Sequence, residues 1–216
     1  MQIKKILPIL LRVGVHLGAL LPLVVLLIDY QTHNLSVNPI QTIEQRSGDT
    51  ALVLLLLSLV CTPLQRLTGY APILQRRRAL GLYAFGYASL HLLVFVGIDY
   101  GLDWGEIWRV IVQKPFIVMG MAAFLMLLPL AITSFTWWMH RLGKNWKRLH
   151  RFVYLTGGLV VIHFGWSVKG DFLRLSGDVQ RPLLAGVVLL VLLGLRLVPM
   201  RRIRLWLQHL RKTDSA

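Results

Sequence analysis

KRLHRFVYLTGGLVVIHFGW, residues 147–166, decides how this chain is read. It starts basic, and from Phe152 to Trp166 no residue carries a fixed charge. Two histidines stand in it, His150 and His163, thirteen residues apart. An ionisable side chain deep in an apolar run is costly and as a rule functional. What His163 holds has to be read from the rest of the chain.

The surrounding composition sets the solvent. Of 216 residues 56% are hydrophobic, and the mean hydropathy is +0.62. Charged residues make up 15%, well under the roughly one quarter of soluble domains. The formal net charge is nevertheless +15. A basic balance suits nucleic acid, but here the basic residues sit between apolar runs, where they orient a membrane protein. The one cysteine, Cys61, excludes an intrachain disulfide, and the absence of C-x-x-C-H excludes haem attached covalently in the c-type manner. The first apolar run is long and lacks an obvious cleavage site, so it is expected to be a retained span.

A membrane helix takes about 20 mostly apolar residues. Six segments qualify, at about 6–28, 50–64, 79–98, 115–135, 152–168 and 181–198. The expected fold is therefore an all-α membrane protein, a six-helix bundle forming a single domain over residues 1–216. Sixteen basic residues fall on one side: Lys4 and Lys5, Arg66 and Arg76 to Arg78, five between Arg141 and Arg151, and five in the tail. The other side holds six, together with eight of the nine acids. The positive-inside rule then puts both termini in the cytoplasm and requires an even number of spans. No internal repeat stands out. Neither G-x-G-x-x-G after a strand nor a Walker A sequence occurs, so nucleotide-dependent hydride chemistry would come from another chain.

Depth sorts the seven histidines. His33, His140 and His209 fall in loops or the tail, where a solvated surface is the default. His91 lies twelve residues into the third span, about 18 Å along its axis, and His163 thirteen residues past His150, about 20 Å. Both enter from the basic side, so they reach one level, beyond the midplane. Two neutral imidazoles on facing helices at one level suit axial ligation of haem iron; the competing reading is a hydrogen-bonding role between packed helices. At the inner level stands His150. Its counterpart position on the third span is Arg77, flanked by Arg76 and Arg78, so no second histidine pair forms there. Its partner is left as a non-histidine group, as a residue of another helix such as His16, or as none. On an ideal helix His150 and His163 are also rotated about 220° apart. Gly157 and Gly158 lie between them as a place for adjustment. Gly81, Gly86, Gly157, Gly158 and Gly165 permit close approach of a porphyrin or a helix equally. Carboxylates inside the spans, expected of a metal channel or zinc transporter, are missing.

Several local patterns resemble the ferric reductase-like transmembrane family, in particular its subunits that serve a methionine sulfoxide reductase. They are Arg12-x-x-x-His16-Leu-x-x-Leu-x-Pro22, Arg77-Arg78-x-Leu-Gly81-Leu, His91-Leu, Leu142-Gly143-Lys144-x-Trp146-x-x-Leu149-His150-x-x-Val153-Tyr154-Leu155 and His163-x-x-Trp166-Ser167-Val168-Lys169. The resemblance implies b-type haem, one or possibly a second, bound through His91, His150 and His163, with FMN as a further cofactor. It implies electrons drawn from the respiratory quinone pool in the bacterial inner membrane. They go to a periplasmic molybdenum-cofactor subunit, MsrP, which reduces methionine sulfoxide in oxidised envelope proteins. The chain is then an electron-transfer subunit and not the sulfoxide-reducing one. Arg76–Arg78 and Lys144–Arg151 are topology signals that also suit an FMN phosphate. Arg12 and His16 are candidates for a quinone or flavin site. Two competing functions share the pattern: a haem reductase with another acceptor, such as ferric iron, and a non-redox transporter or scaffold whose histidines only pack.

Overall fold

Asn38 and Pro39 start the longest helix. The Asn38 side chain accepts a hydrogen bond from the Gln41 amide, and Pro39 takes the first helical position, where its missing N–H costs nothing. The helix ends thirty residues later at Gly69, whose φ of 72° is the left-handed cap that favours glycine. In this computed structural model, which describes residues 3–168, 170–171 and 176–197, the elements in order are α1 (Ile3–Gln31), α2 (Pro39–Thr68), α3 (Pro72–Leu93), α4 (Trp104–Gln113), α5 (Pro115–Ile132), α6 (Thr136–Leu142), α7 (Lys144–Leu149), α8 (Phe152–Ser167) and α9 (Gln180–Leu197). A π-helical turn, Val94–Asp99, continues α3. The two-residue strands β1 (Gly170–Asp171) and β2 (Ser176–Gly177) pair antiparallel before α9. His209 and the basic residues of the tail, with Lys169 and Arg174, lie outside the described residues.

The described residues are helical apart from that hairpin and the connections. Among them five helices are long and apolar enough to cross a bilayer: Ile6–Gln31, Pro39–Thr68, Pro72–Asp99, Pro115–Ile132 and Gln180–Leu197. The remaining expected span is α8, and it has 16 residues, about 24 Å. The second span is the one most under-read from sequence. Glu44, Arg46 and Asp49 interrupt its apolar pattern, yet the helix runs through them. Arg46 pairs with Asp29, and Asp49 lies 3.6 Å from Arg181.

Packing is organised by two helix pairs. The three-residue link Gly69–Ala71 folds α3 back along α2, and α5 packs chiefly on α8. α9 lies against α8 and α2, and α1 against α3 and α2. The centre is aliphatic: Leu54, Leu55, Leu59, Leu80, Leu127, Leu130, Leu189 and Leu192 are buried together. Arg196 enters from α9 and ties three helices. It donates to the Leu59 carbonyl at 2.9 Å and to the Tyr154 hydroxyl, and lies over the Tyr154 ring.

Pro22 breaks the hydrogen-bond ladder of α1, and a tyrosine repairs it. The Tyr87 hydroxyl donates to the Ala19 carbonyl at 2.7 Å and accepts from the Leu23 amide at 3.0 Å. It stands between two groups that an unbroken helix would join directly. Satisfying every backbone polar group internally is the condition for a helix in lipid. The outward residues of α1, among them Ile9, Leu10, Leu17 and Leu21, are exposed and apolar, as a lipid-facing surface requires.

Candidate functional site

The last turn of α3 carries His91 and the middle of α8 carries His163; the fold brings the two rings together. Their centroids lie 6.2 Å apart and their planes cross at 79°. Each ring is fixed from behind by a backbone carbonyl. His91 Nδ1 donates to the Glu44 carbonyl at 2.9 Å, and His163 Nδ1 donates to the Phe116 carbonyl at 2.7 Å. A carbonyl only accepts, so in both rings the proton is on Nδ1, and the lone pair on Nε2 has no partner among the described residues. Metal-ligating histidines are held in this way, by a bond to the nitrogen that does not bind the metal.

Both carbonyls belong to helices that approach the rings through glycine. A Cβ on Gly48 of α2 would lie 3.3 Å from His91 Nδ1, and one on Gly120 of α5 would lie 2.7 Å from His163 Nδ1. Each glycine stands four residues after its carbonyl, so ring, carbonyl and glycine form one cradle, built twice. The copies are 72 residues apart throughout: Glu44 and Phe116, Gly48 and Gly120, His91 and His163. The correspondence is local, confined to the two cradles and a few further positions such as Ala51 with Ala123.

The donor set fits a metal between the rings. Two imidazole–metal bonds of about 2 Å, plus about 1 Å from each ring nitrogen to its centroid, place the centroids about 6 Å apart. The observed 6.2 Å meets that separation. Among the described residues no group of three or more His, Cys, Asp or Glu side chains could hold a metal ion. The pair alone therefore suits a metal whose other ligands come from a macrocycle, which is the axial ligation of haem.

His150 is not brought to this pair. It caps the C-terminus of α7, stacked on Trp146 with centroids 4.1 Å apart, and its Nε2 lies 3.2 Å from the Thr133 hydroxyl. That hydroxyl donates to the Pro129 carbonyl at 2.6 Å, so it accepts from His150, and Nε2 is engaged. Burial, and then the positive charge of Arg77, hold the His150 imidazole below its ordinary pKa, so it stays neutral. Arg77 thus faces His150 at the inner level, where counting placed it. His16 is not the partner of His150; it bonds Tyr83 at 2.8 Å.

The rotation between His150 and His163 has a different cause from the one expected. The helix is interrupted at His150 and Arg151, between α7 and α8, so the ideal-helix rotation does not apply. Gly157 and Gly158 lie inside regular helix, and Gly157 serves packing: its Cβ would meet Leu189 at 3.2 Å. The glycines at the site are Gly48, on α2 just before the expected second span, and Gly120, within the fourth, instead of glycines of the third and fifth.

Comparison with known proteins bears on this geometry. Residues 47–161 match the family described as "Ferric reductase like transmembrane component". Over 199 residues the chain is 41% identical to the "Protein-methionine-sulfoxide reductase heme-binding subunit MsrQ" of Xanthomonas campestris pv. campestris (strain 8004), covering 89% of this chain and 88% of that one. The chain belongs to the ferric reductase-like transmembrane family, in its MsrQ branch. Proteins of the same name from Xanthomonas axonopodis pv. citri (strain 306) and Bordetella pertussis (strain Tohama I) are each 46% identical over 162 residues. These cover 75% of this chain in both cases, and 71% and 76% of the relatives. The matched family region contains Gly48, His91, Gly120 and His150 and stops two residues before His163. The cradles themselves, with their Glu44 and Phe116 carbonyls, were invisible to motif reading.

Proposed function

We propose that this chain is a haem b-carrying electron-transfer subunit of a bacterial inner membrane, a single six-span domain with both termini in the cytoplasm. It draws electrons from the quinone pool and delivers them to a periplasmic MsrP-type methionine sulfoxide reductase. One observation carries the reading: two histidines on separate helices, 6.2 Å apart, each with Nδ1 bonded to a carbonyl and Nε2 without a partner among the described residues. The printed names of the relatives supply the methionine sulfoxide connection. The charge asymmetry of the connections supports the orientation.

Haem b, when bound, supplies an iron that changes oxidation state by one electron. The residues do the rest. His91 and His163 would hold the iron, one from each helix pair. The Glu44 and Phe116 carbonyls fix the rings in place and raise their basicity. A metal held by two imidazoles would suit electron transfer over bond-making. His91 sits at the acid-bearing end of α3, the side that would face a periplasmic acceptor. His150 would have to release Thr133 before ligating iron, so one haem per chain is the reading adopted. Arg77 and the cluster from Lys144 to Arg151 suit the phosphate of FMN.

The test is purification in mild detergent, with haem supplied during expression. Reduced-minus-oxidised spectra and a pyridine haemochrome assay are then recorded. One b-haem per chain is expected, lost in His91→Ala and in His163→Ala and kept in His150→Ala. Colourless wild-type protein, or an intact low-spin spectrum in either of the first two variants, would overturn the reading.

A further inference from the structure

A groove of about 850 Å³ runs between α1 and the α2–α3 pair, away from the histidines. Its walls are apolar: Leu10, Gly14 and Gly18 on α1, Val53, Leu57 and Leu64 on α2. Gly14 and Gly18 have the spacing that lets membrane helices touch. Here nothing among the described residues stands within 4 Å of where their Cβ atoms would be, so no described helix uses that face. From Leu64 to Val53 is eleven residues, about 16 Å, roughly one leaflet of the hydrocarbon core.

The two ends differ. Asp49 and Thr50 line one, and Tyr70 and Arg76 the other. The Tyr70 hydroxyl and Arg76 Nε are buried and have no hydrogen-bond partner among the described residues. Among the described residues the Arg76 guanidinium makes one side-chain hydrogen bond, a neutral one to Gln75 Oε1 at 3.0 Å. Arg66, Arg77 and Arg78 share this end of the helices, and every described acid from Asp29 to Asp178 belongs to the opposite side. Buried donors without partners are costly in lipid. The groove thus has an unneutralised positive mouth and an apolar body one leaflet deep.

We propose that this groove binds one anionic phospholipid of the basic-side leaflet, with its phosphate on Tyr70 and Arg76 and an acyl chain along Leu57 and Gly14. A headgroup phosphate supplies the acceptors both donors lack, and basic pockets between membrane helices are suited to such headgroups. A neutral isoprenoid would fill the apolar body and leave the guanidinium unpaired. The assignment is independent of the haem reading.

The test uses full-length protein in detergent, stripped of native lipid. Dioleoyl-phosphatidylglycerol or dioleoyl-phosphatidylcholine is added, and bound lipid per chain is counted by native mass spectrometry and by extraction. About one phosphatidylglycerol per chain is expected to survive washing, with phosphatidylcholine lost. Tyr70→Phe and Arg76→Gln should each weaken retention about tenfold, the scale of one hydrogen bond to a charged group. Leu57→Trp should block the acyl chain, while helicity by circular dichroism is unchanged in all three. Equal retention of the two lipids would overturn the proposal. So would retention of phosphatidylglycerol unaffected by the variants, or a quinone recovered from the groove in its place.

Discussion

Gly120→Ala is the sharpest perturbation of the site, because it leaves both histidines in the sequence and acts only by displacing one ring. The new methyl carbon would stand 2.7 Å from His163 Nδ1 and 2.8 Å from Cε1, where ordinary contact begins at 3.4 Å. The ring must retreat by about 0.7 Å, the difference between those figures, and the 2.7 Å bond to the Phe116 carbonyl cannot survive that. Overpacking of this kind costs about 1–3 kcal/mol. The lost hydrogen bond adds about 1 kcal/mol. Alanine returns up to about 1 kcal/mol through helix propensity. The net, about 2 kcal/mol, corresponds to roughly 30-fold weaker haem retention, within the range for losing an outer-shell partner of a metal ligand. Gly48→Ala is the internal control. Its methyl would stand 3.3 Å from His91 Nδ1, a shift of a tenth of an ångström, and an effect under about threefold is expected. Haem per chain, followed through repeated washing of purified protein, reads both. Full retention in Gly120→Ala, or greater loss in Gly48→Ala, would refute the cradle argument.

Other expectations follow from the packing. Tyr87→Phe removes the hydroxyl bridging Ala19 and Leu23 and leaves a backbone amide without a partner; it should cost about 1–3 kcal/mol and lower the thermal midpoint in detergent. Leu59→Ala empties a position 1% exposed at the meeting of the two helix pairs, and should cost about 2–5 kcal/mol in the same assay. Asn38→Ala removes the α2 cap, six residues before the Glu44 carbonyl, and should cost about 1 kcal/mol with the haem spectrum unchanged.

The level of the two histidines was legible by counting, since rise per residue is fixed and both spans enter from the basic side. Asn38, Pro39 and Gly69 also marked the true limits of α2, but Glu44, Arg46 and Asp49 masked its first turns, because hydropathy reads side chains and not the ion pairs that Arg46 and Asp49 make. The break at His150–Arg151 had no glycine or proline to announce it. Tertiary contacts fix it: Trp146 stacks on His150 and donates to the Thr133 carbonyl at 2.8 Å. The roles of Gly48 and Gly120 could not be read at all from their own helices, because what they admit is a ring from another one.

The central claim is bis-histidine ligation by His91 and His163, and electron paramagnetic resonance of the oxidised protein tests it most directly. Imidazole planes crossed at 79° should give ferric iron the strongly anisotropic low-spin signal of near-perpendicular axial ligands. That signal should vanish in His163→Ala. A purely high-spin signal in the wild type, or a low-spin signal that outlasts loss of either histidine, would contradict the account.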